Sequence, residues 1–263
     1  MTIRMLVRNE WELQDAADEL GVGVEDAARD LALLAVIASL ADRFGSRVVF
    51  KGGAVLRFGH GAARTSRDAD ATVTDPARSP LSAEDVADAL QSARLGQFLR
   101  VRVPALPATD NRYSLDFDRV GFDCAGVAGT LDVELSFRED LVLAPQSLVV
   151  GAPYFEPFTI LALQPVEMAG EKLRALAQRE RGTDLGDCVL LEQLAREDLG
   201  RLEMVRIEKF KLVRSGVGAD SLRDRIDRMR RVYETDVRRL EPNAPDYETA
   251  RSAALTLVRH AWR

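Results

Sequence analysis

Val48–Val73, VVFKGGAVLRFGHGAARTSRDADATV, is the stretch from which the fold can be worked outward. Arg47–Phe50 reads as a short buried strand closed by a Gly-Gly turn. Ala54–Phe58 suits a short helix ended by Gly59-His60-Gly61, and a loop of small residues leads to a second strand, Asp68–Val73, stopped by Asp75-Pro76. Residues two apart on a strand share a face, so the carboxylates of Asp68 and Asp70 would lie side by side. Like charges so placed repel unless they share a cation or a proton. Mg²⁺ prefers such oxygen donors and binds through one or two carboxylates plus substrate phosphates. Gly52 and Gly53 let the backbone approach a ligand closely, and the N-terminus of the following helix favours an anion. Together these features predict a site for a metal-bound nucleoside triphosphate.

Upstream of this stretch, residues 9–20 read as a short helix. Glu25–Phe44 reads as a stronger one, apolar through LALLAVIASLA and stopped by Gly45. Downstream, Ser82-Ala83-Glu84-Asp85 resembles a capping box that opens a helix to about Ala93. Between Phe98 and Val150 the period changes to two. Leu99–Val103, Tyr113–Phe117 and Leu131–Phe137 alternate apolar with polar and predict half-buried, mostly antiparallel strands. Pro153 and Pro157 mark a turn region. From Val166 the pattern is helical, with breaks near Arg181–Thr183, Gly216–Gly218 and Pro242–Pro245. The order predicts an α+β fold with a mixed sheet followed by a C-terminal helical bundle. The expected division is a core over residues 1–160 and a helical domain over 161–263 that completes the active site.

The 263 residues are 46% hydrophobic and 30% charged, enough for a sizeable core. Two cysteines and two histidines exclude a disulfide framework and a His-rich metal site. No apolar run reaches membrane-span length and the first residues lack a signal-peptide core, so no membrane association and a cytoplasmic location are expected. The net charge of −6 is unevenly spread: residues 172–263 hold 20 Lys and Arg against 16 Asp and Glu. Leu222, Ile226, Met229, Tyr233, Val237 and Leu240 make one apolar stripe there, with Arg223, Arg225, Arg228, Arg230, Arg231, Arg238 and Arg239 mainly elsewhere. Either solvated helices or a polyanion-gripping surface would give that distribution.

Lys51-Gly52-Gly53-Ala54-Val55-Leu56 followed by Arg64-Thr65-Ser66-Arg67-Asp68-Ala69-Asp70 resembles the first motif of the AbiEii/AbiGii (MenT-type) nucleotidyltransferase toxins, within the polymerase-beta-like superfamily. Val133-Glu134-Leu135-Ser136-Phe137-Arg138-Glu139 resembles a later strand motif of that family. Glu171-Lys172-Leu173-Arg174-Ala175-Leu176, then Asp184-Leu185-Gly186-Asp187, resembles its E-K-L-x-A-L and R-D-x-x-D elements. Thr183 stands where Arg is common, and Arg181 is the expected substitute. The resemblance implies a polymerase-beta-like core and Mg²⁺ (or Mn²⁺) held by Asp68 and Asp70. The third acid would be Glu134, or Asp132, where the family often has Lys. Lys51, Gly52, Gly53, Arg64 and Ser66 would meet the NTP, Lys172 would stabilise the transition state and Asp187 would support it. The implied activity is nucleotide transfer from an NTP to RNA, a tRNA 3′ end above all, by the toxin of a toxin–antitoxin pair with a cognate antitoxin, blocking translation. A small molecule or protein side chain as acceptor, and a non-catalytic nucleotide- or RNA-binding module, are the alternatives.

Overall fold

The computed structural model describes residues 7–76, 81–93, 98–138, 140–213, 216–238 and 243–263. The chain divides into two compact units, one running through Leu141 and including Pro145–Ala162, the other comprising Val142–Ala144 and Leu163–Arg263.

In the first unit the order is α1 (Glu10–Leu20), α2 (Val24–Phe44), β1 (Val48–Lys51), α3 (Gly52–His60), β2 (Asp68–Val73), α4 (Ala83–Ser92), β3 (Leu99–Arg102), β4 (Thr109–Asp110), β5 (Ser114–Cys124), β6 (Val127–Ser136), β7 (Gln146–Ala152) and β8 (Phe155–Ala162). The strands form one mixed sheet in the order β3-β5-β6-β2-β1-β8-β7, with β4 on β5. β1–β8 and β2–β6 are parallel and the other pairs antiparallel. The apolar helix α2 packs on β2, β5, β6 and β8, which explains its nearly continuous burial. The expected capping box forms: Ser82 Oγ accepts from the Asp85 amide at 3.0 Å and donates to its carboxylate at 2.7 Å.

Three expectations need correction. The helix after β1 is not confined to Ala54–Phe58; it runs from Gly52 to His60, so the glycines form its first turn. The strand at Tyr113–Phe117 continues to Cys124, through an irregularity between Phe117 and Val120. Arg119 there has φ +56°, and its amide donates to Asp132 Oδ1 at 2.6 Å. The region around Pro153 and Pro157 is not only a turn but the hairpin β7–β8. Pro157 is tolerated because β8 meets β1 only at Ala162 and its register with β7 is irregular beyond Val150, so no ladder amide is needed there.

The second unit is helical: α5 (Pro165–Gln178), α6 (Gly182–Leu194), α7 (Leu202–Phe210), α8 (Ala219–Arg228), α9 (Arg230–Tyr233) and α10 (Tyr247–Ala261). Leu222, Ile226, Met229, Tyr233 and Val237 are all buried. Leu240, Arg239 and Pro242 lie outside the described residues. Tyr233 and Tyr247 tie the helices together through bonds to the carbonyls of Pro245 (2.7 Å) and Ile226 (2.9 Å). A buried ion pair anchors α7 to α5: Lys209 Nζ lies 2.8 Å from Glu167 and 3.1 Å from Glu171. Glu167 also accepts the amides of Val142 and Leu143 at 3.0 Å each. Among the described residues no helix is long and apolar enough to cross a membrane.

Candidate active site

The site in the first unit is built from one row of the sheet. Lys51 of β1 is the register partner of Asp70, Asp70 that of Glu134 on β6, and Glu134 that of Asp116 on β5. Register partners present their side chains on the same face, and adjacent strands are about 4.8 Å apart. Asp68, two residues before Asp70, shares that face beside Asp132. Neither aspartate is fully buried, whereas Lys51 is only 7% exposed.

The glycines determine how close α3 comes to this row. Gly52 has φ +74°, a left-handed conformation that disfavours any side chain. A Cβ there would lie 2.3 Å from Asp70 Oδ2, so the carboxylate occupies the space a side chain would need. A Cβ on Gly53 would lie 2.6 Å from the Arg64 guanidinium and 2.9 Å from Ser66 Oγ. The two glycines thus bring the first turn of α3 against Asp70 on one side and Arg64 and Ser66 on the other. No side chain caps that turn, whose amides are the kind that bind phosphate. Replacing Gly52 by Ala is expected to lower stability by roughly 1–3 kcal/mol from the left-handed backbone and to displace Asp70. Thermal unfolding combined with an activity assay checks both effects.

Ser66 is buried and its hydroxyl donates to the Asp68 carbonyl at 3.3 Å, just before β2 begins. Arg64 also donates to the Thr65 carbonyl at 3.2 Å. The two acids on β6 differ. Asp132 caps the Arg119 amide, while Glu134, half-exposed, pairs with Arg138 at 3.1 Å. Among the described residues no group of three or more His, Cys, Asp or Glu is gathered as a metal cage. The donor set of Asp68 and Asp70 beside the glycine cradle instead suits Mg²⁺, which completes its shell with phosphates and water.

The second unit gathers its own charged cluster. Lys172 Nζ lies 2.9 Å from both Asp184 Oδ1 and Asp187 Oδ2. Arg179, not Arg181 as expected, grips Asp184, at 2.7 Å through Nε. Arg181 instead precedes α6 and lends its carbonyl to the Asp184 amide. Burial pushes the Asp184 carboxyl up, but Lys172 and Arg179 together outweigh it and hold the pKa at about 2. Asp184 and Arg179 thus join the site residues singled out from sequence. Asp184 lay in the quoted motif, and Arg179 is found only by knowing where α5 ends.

The C-terminal arginines are largely matched by acids. Arg223 pairs with Asp220, Arg225 with Glu180, Arg230 with Glu248 and Arg251 with Asp227, while Arg238 donates to the Ala244 carbonyl. Arg228 and Arg231 are exposed.

The sequence profile described as nucleotidyl transferase AbiEii toxin, type IV TA system, matches residues 33–257. Among curated proteins nothing matches. Among solved structures, MenT4, a nucleotidyltransferase toxin of Mycobacterium tuberculosis, is similar at a TM-score of 0.56 and 17% identity, covering 95% of this chain and 99% of its own. JHP933 of Helicobacter pylori is similar at 0.53 and 17%, covering 96% and 92%. At that identity the likeness is one of fold, and it extends over both units.

Proposed function

Because this chain belongs to the AbiEii family of nucleotidyltransferase toxins, we propose that it transfers a nucleotide from an Mg²⁺-bound NTP to the 3′ end of an RNA, a tRNA above all, and so blocks translation in the cell. The single observation that supports this reading is the fit of Gly52 against Asp70: the uncapped first turn of α3 lies against the carboxylate.

Asp68 and Asp70 would hold Mg²⁺, with Glu134 as the third acid. When bound, the ion supplies a Lewis acid at the reacting phosphate. The amides of the Gly52–Gly53 turn and the guanidinium of Arg64 orient the triphosphate; Lys51 and Ser66 support that end of the site. An acceptor hydroxyl attacks the α-phosphorus, loses its proton as the new P–O bond forms, and pyrophosphate leaves. Lys172, oriented by Asp184 and Asp187, would neutralise the leaving group. A cognate antitoxin would restrain the activity.

Asp132 is already spent on the Arg119 amide. Asp132→Asn, which keeps an acceptor oxygen for that amide, is therefore expected to retain transfer. Glu134→Gln is expected to lower it by about tenfold or more and to raise the Mg²⁺ concentration needed. Equal losses in the two variants would reject Glu134 as the third acid. Incubation with each labelled NTP, Mg²⁺ and total RNA tests the acceptor. Label recovered at RNA 3′ ends supports the proposal, and label only in small molecules or protein overturns the RNA assignment.

A further inference from the structure

α2 carries a charge where it should not. Asp30 is fully buried on α2, at the head of its apolar run, and burial pushes its pKa up to about 6 against the pull of Arg57. Its Oδ2 accepts from Arg57 Nε at 3.2 Å and Nη2 at 3.0 Å. A buried pair of this kind is commonly no more stabilising than two apolar side chains in its place, so its presence calls for another role. That role is visible at the other end of the same guanidinium. Arg57 Nη1 donates to the carbonyls of Ala62 (3.1 Å) and Ala63 (2.7 Å). These residues open the segment that carries Arg64 and Ser66 back against Gly53. Arg57 itself stands on α3, whose first turn is the proposed phosphate-binding element.

We infer that Asp30 and Arg57 are positioning residues for the nucleotide site: Asp30 fixes the guanidinium of Arg57, and Arg57 pins the Ala62–Ser66 segment so that Arg64 and Ser66 stay packed on Gly53. One rigid planar group bridges a carboxylate and two carbonyls, which a lysine ammonium cannot do in the same geometry. The inference rests on the nucleotidyltransferase reading, since it assigns these residues to the triphosphate end of that site.

The test uses Asp30→Leu/Arg57→Met, which replaces the pair by apolar groups and keeps the core packed, and Arg57→Lys as a second variant that keeps the charge. Amide hydrogen exchange over residues 61–67, the Kd for a non-hydrolysable NTP with Mg²⁺, and KM against kcat are measured at temperatures where each variant is folded. The expected result is faster exchange in residues 61–67 with β1 and β2 unchanged. Kd and KM should rise about tenfold, equivalent to about 1.4 kcal/mol, and kcat should fall less. If the double variant is too unstable to assay, the same pattern in Arg57→Lys decides. Wild-type exchange and wild-type Kd in a folded variant would overturn the inference. A wild-type chain that neither binds nor transfers nucleotide would overturn the functional reading instead. The exchange data would then still report whether the pair pins the segment.

Discussion

Asp70→Asn should lower nucleotide transfer by about 10³-fold while leaving the chain folded. The substitution keeps the shape of the side chain and its position beside Gly52 and removes only the charge. A metal acting as a Lewis acid supplies several kcal/mol of charge stabilisation, and each 1.36 kcal/mol is a factor of ten in rate. The loss should therefore fall on kcat and on the Mg²⁺ requirement together. Asp70 is not fully buried, and the amide keeps its shape and an acceptor oxygen beside the buried Lys51, so the chain should stay folded with a modestly lowered melting temperature. Asp68→Ala should behave alike, because the two carboxylates share one face of β2. Rate and melting temperature measured on the same preparation separate the two effects: a large loss of rate, measured where the variant is fully folded, with only a small fall in melting temperature is the expected outcome.

Lys172→Met should damage stability and activity at once. Lys172 is the shared partner of two buried acids, Asp184 and Asp187. Removing it leaves Asp187 without that partner and Asp184 dependent on Arg179. Breaking a buried pair by deleting one member costs roughly 3–5 kcal/mol, which for a chain of this size is a fall of about 10 °C in melting temperature. On the role proposed for Lys172, transfer assayed well below that temperature should still be reduced by about 10²-fold or more. The cluster also gives acid stability a sign. Asp184 is held at about 2 in the folded chain against an ordinary 3.8. Folding therefore favours its ionised form, and the stability so gained is complete above pH 4 and lost as pH falls through about 2. The shift is worth roughly 2 kcal/mol, and most of it should vanish in Lys172→Met. Denaturant midpoints at pH 7 and pH 3 for the two proteins would show this as a smaller pH effect in the variant.

The parts of this architecture that were legible in the sequence are those governed by local pattern. The strand Asp68–Val73 and the capping box at Ser82 depend on spacing within a few residues, and both form as read. The Gly-Gly pair was legible as a close approach, but only the structure shows that its counterpart is the Asp70 carboxylate. What was not legible depends on distant partners. Asp30 and Arg57 are 27 residues apart, and only a charged residue on the buried stripe of α2 hinted at a pair. Lys209 carries no local signal of its burial, because its partners Glu167 and Glu171 lie on another helix. The prolines of the β7–β8 hairpin suggested a break, since nothing local says that β8 is free of β1 along most of its length. Arg179 was passed over for Arg181 because the register of α5 and α6 decides which of the two faces Asp184.

Asp68 and Asp70, beside the Gly52 turn, are proposed to hold a divalent ion together with a triphosphate. Titration with Mn²⁺ in the presence and absence of a non-hydrolysable NTP, followed by electron paramagnetic resonance, measures this directly. The expected result is ion binding that strengthens when the nucleotide is present and is lost in Asp70→Asn and Asp68→Ala. Binding that is absent from the wild-type chain, or that survives unchanged in both variants, would contradict it.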